Sequence, residues 1–487
     1  MSINNFLPFF FLFSLFLHNA SSSAIASNSD NGGHGFVDRQ VLNLKKLKWK
    51  REQNHNTTKC FPQRSRTEKN VTILEVHHKD YCSKTKSNWN QRLQKHILSD
   101  QIRVHSLQSR IKIALFNGFN QELSQAQIPL ISGAKLQTLN YIVTVGLGSR
   151  NMTLIVDTGS DVTWVQCEPC GSCYSQQEPL FNPTDSPSYK PVLCKSTTCQ
   201  DLQSATGNSG VCEANSTTCN YYVSYGDGSY TKGDLASDSI VLGTSAINGF
   251  VFGCGRVNDG LFGGASGLMG LGRSALSLVT QTNDVFGGVF SYCLPSVTDK
   301  GSGSLILGDE ISAYKNFSPI SYTKLISNPL LPFYFLNLTG ISIGGVWLQD
   351  PSFGQKKMLI DSGTVITRLF SSVYIAVKSE FLKQFSGFPK APNFSILDTC
   401  FNLSSYDQVE IPTFKLHFES NAKLTVDVNG LLYFAKSDAS QVCLAIAGLS
   451  DEEDIGIIGN YQQKNTRVIY NTKASTLGFA QETCSLE

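Results

Sequence analysis

One pattern occurs twice in this chain. LIVDTGSDVTWV (Leu154 to Val165) and MLIDSGTVITRL (Met358 to Leu369) share an order: an apolar run, an acid, a hydroxyl, glycine, a second hydroxyl, and a return to apolar residues. The acids, Asp157 and Asp361, lie 204 residues apart. A second element repeats behind each of them. GLMG begins at Gly267, 110 residues after Asp157, and GIIG begins at Gly456, 95 residues after Asp361. A duplication on this scale predicts two related lobes, each contributing one acid.

The chemistry follows from the placement of the acids. An apolar strand excludes an unpaired carboxylate because burying one is costly. Each acid therefore needs a partner, and the other lobe offers an identical one. Gly159 and Gly363 permit close backbone approach, and the flanking hydroxyls can hydrogen-bond the carboxylates. Two carboxylates brought together cannot both ionise easily, so they share a proton and titrate as a pair. One can then take a proton from water while the other polarises a carbonyl under attack.

Other chemistries find little support. Of eight histidines, seven precede residue 130, and the body keeps only His417, in the alternating run FKLHFES. Serine and cysteine nucleophiles need a positioned histidine base, and a lone strand histidine reads as a packed or surface residue. CEPCGSC (Cys167, Cys170, Cys173) imitates a zinc knuckle, but 14 cysteines behind a secretory leader read as disulfides. Neither a metal nor an organic cofactor is expected. The runs YIVTVGLG, SIVLGT, SLILGD, FYFLNLTGISIGG, KLTVDV and TRVIYN are β-branched and aromatic, with Gly, Asn, Asp and Ser between them. They predict an all-β body, with FSSVYIAVKSEFLKQF as its best helix candidate.

The N-terminal quarter is different. Phe6 to Leu17 is an apolar run of 12 followed by small residues, which reads as a secretory signal over residues 1–24. No later run is long enough for a membrane helix. Residues 36–113 hold 18 Lys/Arg against 6 Asp/Glu, whereas residues 127–487 hold 22 against 30. A basic segment ahead of an acidic body is expected to be a propeptide, over residues 25–130, that covers the body and is held partly by charge. The alternatives are a nucleic-acid-binding tail, resting on KKLKWKREQ, and a solvated linker. Nucleic acid is the less favoured partner, since a secreted chain rarely meets it. LQKHILSDQIRVHSLQSRIKIALF has helical apolar spacing.

With these motifs in place, the chain resembles a pepsin-type aspartic protease of the plant nepenthesin-like branch, from about Asn140 to Cys484. The resemblance implies a bilobal pepsin-like fold, with lobes over residues 131–310 and 311–487 and the active site in the cleft between them. It implies that Asp157 and Asp361 are catalytic, that Thr158 and Ser362 brace the two loops, and that Ser160 and Thr364 bond the outer carboxylate oxygens. Ser362 stands where Thr is commoner and keeps the hydroxyl. YYVSYGDGSYTKGDL matches the flap, a hairpin closing over substrate, with Tyr225 as its tyrosine and Gly226, Asp227 and Gly228 at its tip. Trp164 matches the tryptophan that bonds that tyrosine. The cysteine-rich insert marks the branch. By analogy the pairs are Cys167–Cys170, Cys173–Cys254, Cys194–Cys219, Cys199–Cys212, Cys293–Cys484 and Cys400–Cys443.

The function so implied is acid-favoured endopeptidase action on proteins or peptides by a secreted monomer, made as a zymogen whose propeptide is cut between about Phe116 and Asn140. The cell wall space is the expected compartment, with the vacuole open and the plastid disfavoured. Asn151, Asn215, Asn316, Asn337, Asn393 and Asn402 head glycosylation sequons. The loop GLGSRNMTLIVD carries the first of them and lacks a proline common in relatives. The rivals are a catalytically silent inhibitor or binding protein on the same fold, and a protease with a DNA-binding basic segment. Both Asp triplets are intact, which disfavours the former.

Overall fold

The computed structural model describes residues 37–45, 65–68, 71–78, 89–117 and 141–484, apart from 215, 226–227, 261, 297–301, 315 and 328–331. The signal segment, residues 118–140 of the expected processing region, Asn215 and the flap-tip residues Gly226 and Asp227 lie outside these.

The first lobe starts from a hairpin. Tyr141–Leu147 pairs antiparallel with Arg150–Asp157, with Ile142 opposite Ile155 and Leu147 opposite Arg150. Gly148 takes φ +53° in the connecting turn, a conformation that favours glycine. Leu154, Ile155 and Val156 are all buried, as expected of a strand covered on both faces. That strand pairs in parallel with Gly267–Gly270, which runs antiparallel to Trp164–Gln166. A Cβ on Gly270 would stand 2.1 Å from the Asp161 carbonyl oxygen, so the close approach requires glycine there.

The second lobe repeats this topology. Lys357–Ile360 pairs in parallel with Gly456–Ile458, which runs antiparallel to Thr367–Leu369. The sequence duplication is therefore a structural one, and the fold is all-β and bilobal. The one long helix of the second lobe, Ser371–Gln384, occupies the predicted stretch and buries Val373, Val377 and Phe381.

A 15-stranded sheet joins the halves. It runs from Ser321–Lys324 through Thr476–Gln481, Thr466–Asn471, Val289–Cys293 and Gly303–Leu307 to Val71–His78 and Tyr141–Leu147, and on into the first lobe. Val71–His78 belongs to the basic N-terminal segment, yet it sits inside the sheet, paired to Gly303–Leu307 and Tyr141–Leu147. A second strand of that segment, Arg39–Asn43, pairs with Gln408–Pro412. The segment is thus woven into the body by main-chain ladders as well as by charge. Its helix, Trp89–Asn117, covers the predicted helical stretch.

Four of the expected disulfide pairs are replaced. Cys167 pairs with Cys254, because Trp164–Gln166 and the strand Ser245–Asp259 run parallel with Val165 beside Cys254. The Cys167 and Cys254 Cα atoms come within 5.4 Å. Cys170 then pairs with Cys173 in the same loop. In the insert, Cys199 pairs with Cys219 and Cys194 with Cys212. The partners sort by depth: Cys199 and Cys219 are buried, whereas Cys194 is half-buried and Cys212 exposed. Cys293–Cys484 and Cys400–Cys443 form the pairs that the resemblance implies.

Candidate active site

The parallel strands of each lobe end in a turn that carries an acid, and the two turns bond to each other. The Thr158 amide donates to Ser362 Oγ at 3.0 Å, and the Ser362 amide donates to Thr158 Oγ1 at 2.9 Å. Ser362 Oγ in turn donates to the Val156 carbonyl at 3.2 Å. These reciprocal bonds satisfy buried amides and lock the lobes together where the acids sit. Ser in place of Thr preserves them, since only the hydroxyl is used.

Each carboxylate is held in the same way. The Gly159 amide donates to Asp157 Oδ1 at 3.0 Å, and Ser160 Oγ donates to Asp157 Oδ2 at 2.8 Å. In the other lobe the Gly363 amide donates to Asp361 Oδ1 at 2.9 Å, and Thr364 Oγ1 donates to Asp361 Oδ2 at 2.5 Å. The glycines report how closely the acids approach. A Cβ on Gly363 would lie 2.4 Å from Asp157 Oδ1, and one on Gly159 would lie 2.7 Å from Asp361 Oδ1. Both acids are fully buried. Asn460 supports the second loop by donating from Nδ2 to the Ser362 carbonyl at 2.9 Å.

A cation occupies the space between them. Arg103 of the helix Trp89–Asn117 donates from Nη2 to Asp157 Oδ1 at 2.7 Å and to Asp361 Oδ1 at 3.0 Å. Its Nε donates to Asp361 Oδ2 at 3.0 Å. Planar guanidinium geometry suits such multiple carboxylate contacts. Burial favours the neutral form of Asp157, but Arg103 and the bonds from Ser160 and Gly159 outweigh it and hold that carboxyl below its ordinary range. Asp361 is raised: burial and the charge of Asp157 together outweigh Arg103 and Thr364. The two acids are thus inequivalent.

The rest of the helix is fastened to the second lobe. Asp100 accepts the Val365 amide at 2.5 Å, the Ile366 amide at 3.1 Å and Arg368 Nη2 at 2.9 Å. Gln108 exchanges two bonds with the Ile455 backbone, at 2.6 and 2.9 Å. Lys112 pairs with the exposed Asp451 and the buried Asp454, each at 2.8 Å. Arg110 lies over the Phe333 ring at 5.0 Å.

Trp164 and Tyr225 are brought together. Trp164 Nε1 donates to Tyr225 Oη at 2.7 Å, and Phe262 packs edge-on against both rings. Tyr225 closes the hairpin formed by Asn220–Ser224 and Tyr230–Leu242, and Gly228 takes φ +79° near its tip. His417 lies far from this chemistry in its contacts: its Nε2 is 2.8 Å from Ser342 Oγ, and its ring stacks on Trp347. CEPCGSC holds its cysteines in disulfides, and among the described residues no group of His, Cys, Asp and Glu is arranged to hold a metal ion. Of the sequon asparagines, Asn151, Asn316 and Asn393 are exposed. Asn337 is half-buried and donates to Glu419 at 2.8 Å, and Asn402 is half-buried and accepts from Ser404.

Sequence reasoning missed Arg103, Asp100 and Asn460. The helical pattern and positive charge around Arg103 were visible, but nothing local distinguishes it from its basic neighbours.

An aspartyl protease family protein of Arabidopsis thaliana is 44% identical over 393 residues, which is 79% of this chain and 81% of the relative. The chain belongs to the nepenthesin-like plant aspartic proteases. Nepenthesin-2 of Nepenthes gracilis, an aspartic proteinase, is 35% identical over 378 residues, covering 76% of this chain and 82% of its own. Residues 141–309 and 333–481 match the families described as xylanase inhibitor N-terminal and C-terminal. Basic 7S globulin from soybean shares the fold at a TM-score of 0.57 and 21% identity, over 72% of this chain and 95% of that one. By its family the chain is an aspartic-type endopeptidase. No helix among the described residues of this protease is long and apolar enough to cross a membrane.

Proposed function

We propose that this protease hydrolyses peptide bonds with a water held between Asp157 and Asp361, and that residues 89–117 keep it latent until acid and proteolysis remove them. The observation that carries the reading is the cross-bonded pair of loops, which brings two buried carboxylates against one another. One ionised and one protonated carboxyl is the state the reaction needs: the ionised one takes a proton from the water, and the protonated one hydrogen-bonds the carbonyl oxygen. An extended peptide would lie in the cleft beneath the Tyr225 hairpin.

Latency rests on Arg103, which fills the position the water and the carbonyl would share. Acid acts against the part of this arrangement that rests on carboxylates held low, and Asp361, which is held up, adds nothing to that loss. Carboxylates whose affinity for protons is lowered by a cationic partner stabilise the complex above their ordinary range, and that contribution is lost as pH falls through the lowered value. Asp157 and Asp451 are such groups. Salt should act chiefly on the exposed Lys112–Asp451 pair and little on the buried Arg103. Secretion to the cell wall space, maturation between residues 116 and 140 and a monomeric mature form belong to the same reading. An inhibitor role has no comparable support, because both acids and all their hydrogen-bond partners are in place.

The test is cleavage of a protein substrate after exposure to about pH 4, with and without pepstatin, beside Asp157→Asn and Asp361→Asn. Pepstatin-sensitive cleavage lost in both variants supports the reading. A folded, processed protein that cuts nothing overturns it.

A further inference from the structure

The basic N-terminal segment holds the body in two physically different ways. The helix Trp89–Asn117 is fastened by side chains: the charged groups Arg103, Asp100 and Lys112 and the buried apolar Leu93, Ile97, Val104, Leu107 and Ile111. The strand Arg39–Asn43 is held by its main chain as well. All five of its residues pair with Gln408–Pro412, from Arg39 opposite Pro412 to Asn43 opposite Gln408. The ladder continues at both ends. The Thr413 amide donates to the Asp38 carbonyl at 2.9 Å, the Asp38 amide to the Gly344 carbonyl at 3.1 Å, and the Lys45 amide to the Asp407 carbonyl at 3.0 Å.

Side chains add to the ladder. Leu42 and Leu44 are 3% and 0% exposed, and they enter the same apolar core as Val409, Ile411 and Phe385. Gln40 Nε2 donates to the Val426 carbonyl and Arg39 Nη2 to the Gln384 carbonyl, each at 3.2 Å. The alternate residues Arg39, Val41 and Asn43 face outward. Among the described residues, Gln408–Pro412 has no other strand partner, so removing residues 37–45 would leave that strand unpaired and open two leucine-sized holes in the second lobe.

We infer that residues 37–45 are a structural part of the second lobe, and that they stay bound to it as a separate peptide after the chain beyond them is cut. They are not part of what leaves with the inhibitory helix. This rests on the reading that the chain matures by cleavage, but the geometry does not depend on which protease cuts. The charged groups facing the strand are few. Lys415 meets Asp38 at 3.1 Å, and Glu410 lies exposed opposite Val41. Acid can therefore remove at most this one ion pair, and it leaves the ladder and both leucines. The propeptide boundary expected at residues 25–130 thus encloses two parts with different fates.

The experiment places a recognition sequence for a site-specific protease within residues 46–64 of the full chain and cuts it with that added protease. Maturation by the chain itself is not needed, so failure here is distinguishable from failure of the catalytic reading. The cut protein is passed over a sizing column at neutral pH and at about pH 4, and the native peak is analysed by intact mass. The expected result is a peptide containing residues 37–45, present in roughly equimolar amount at both pH values and released only in denaturant. Loss of the peptide from the native peak at pH 4 overturns the inference. A second measurement guards against a variant that fails to fold. A labelled synthetic peptide of residues 37–45 is exchanged into the cut wild-type protein, beside the same peptide carrying Leu42→Asp. The substituted peptide should bind at least about tenfold more weakly, and equal binding would also overturn the inference.

Discussion

Arg103 Nη2 stands 2.7 Å from Asp157 Oδ1, across 54 residues of chain, and so puts a cation of the basic N-terminal segment on one of the two buried acids. The same nitrogen reaches Asp361. Charge-assisted bonds of this kind contribute about 1.5–3 kcal/mol each. Arg103→Ala should therefore raise the open-cleft population of the uncut protein at least about tenfold. Peptide cleavage by that uncut variant at a pH where the parent is silent checks it. Lys112→Ala removes pairs of a half-exposed lysine that touch neither catalytic candidate, and its shift should stay smaller than that of Arg103→Ala. Equal latency in Arg103→Ala and the parent would remove Arg103 from the account.

The loops that carry the acids depend on a hydroxyl at each second position. Ser362→Ala leaves the buried Thr158 amide without its acceptor, at a cost of about 1–3 kcal/mol. Thermal unfolding should move down by several degrees. The misaligned acids should cost roughly tenfold or more in kcat. Ser362→Thr should restore both, since it returns the hydroxyl.

Asp161 carries a pH dependence of its own. It is buried, its Oδ1 accepts the Ser274 amide at 2.7 Å, and its Oδ2 has no partner. Burial pushes its carboxyl up to about 7. Between about pH 4 and pH 7 the folded protein keeps a proton that the unfolded chain releases, so this group makes the fold less stable as pH rises through that window. Asp161→Asn, which is neutral throughout, should flatten the rise of melting temperature toward acid. A melting series over that range measures it, and an unchanged slope would assign the effect elsewhere.

Trp164→Phe keeps an aromatic ring but removes the donor to Tyr225 Oη. The hairpin should then hold substrate less well, with KM raised by roughly twofold to tenfold, as expected for one hydrogen bond. The kcat should change less than KM, because neither residue touches the acids. Steady-state kinetics on the activated protein separate the two.

Peptide mapping without reduction tests the disulfide arrangement. A fragment containing Cys167 should be linked to one containing Cys254, and Cys199 to Cys219. Recovery of Cys173 joined to Cys254 would contradict the register of the strands around Trp164.

Much of the site could be read from local pattern. The two acids, their hydroxyl and glycine neighbours, the Tyr225 hairpin and the helix Ser371–Gln384 are each written in a short stretch, where side-chain period and turn chemistry decide the outcome. The duplication was legible for the same reason, since each copy sits in one strand and one turn. Tertiary structure alone decided the rest. Arg103 meets Asp361 across 258 residues, and Cys167 pairs with Cys254 rather than with a nearer cysteine. Val71–His78 enters the central sheet, and Leu42 fills the second lobe. In each case the partner is chosen by the register and depth of elements far apart in the chain. Several basic residues on one helix, or several cysteines in one loop, are equivalent until packing brings one of them to its partner.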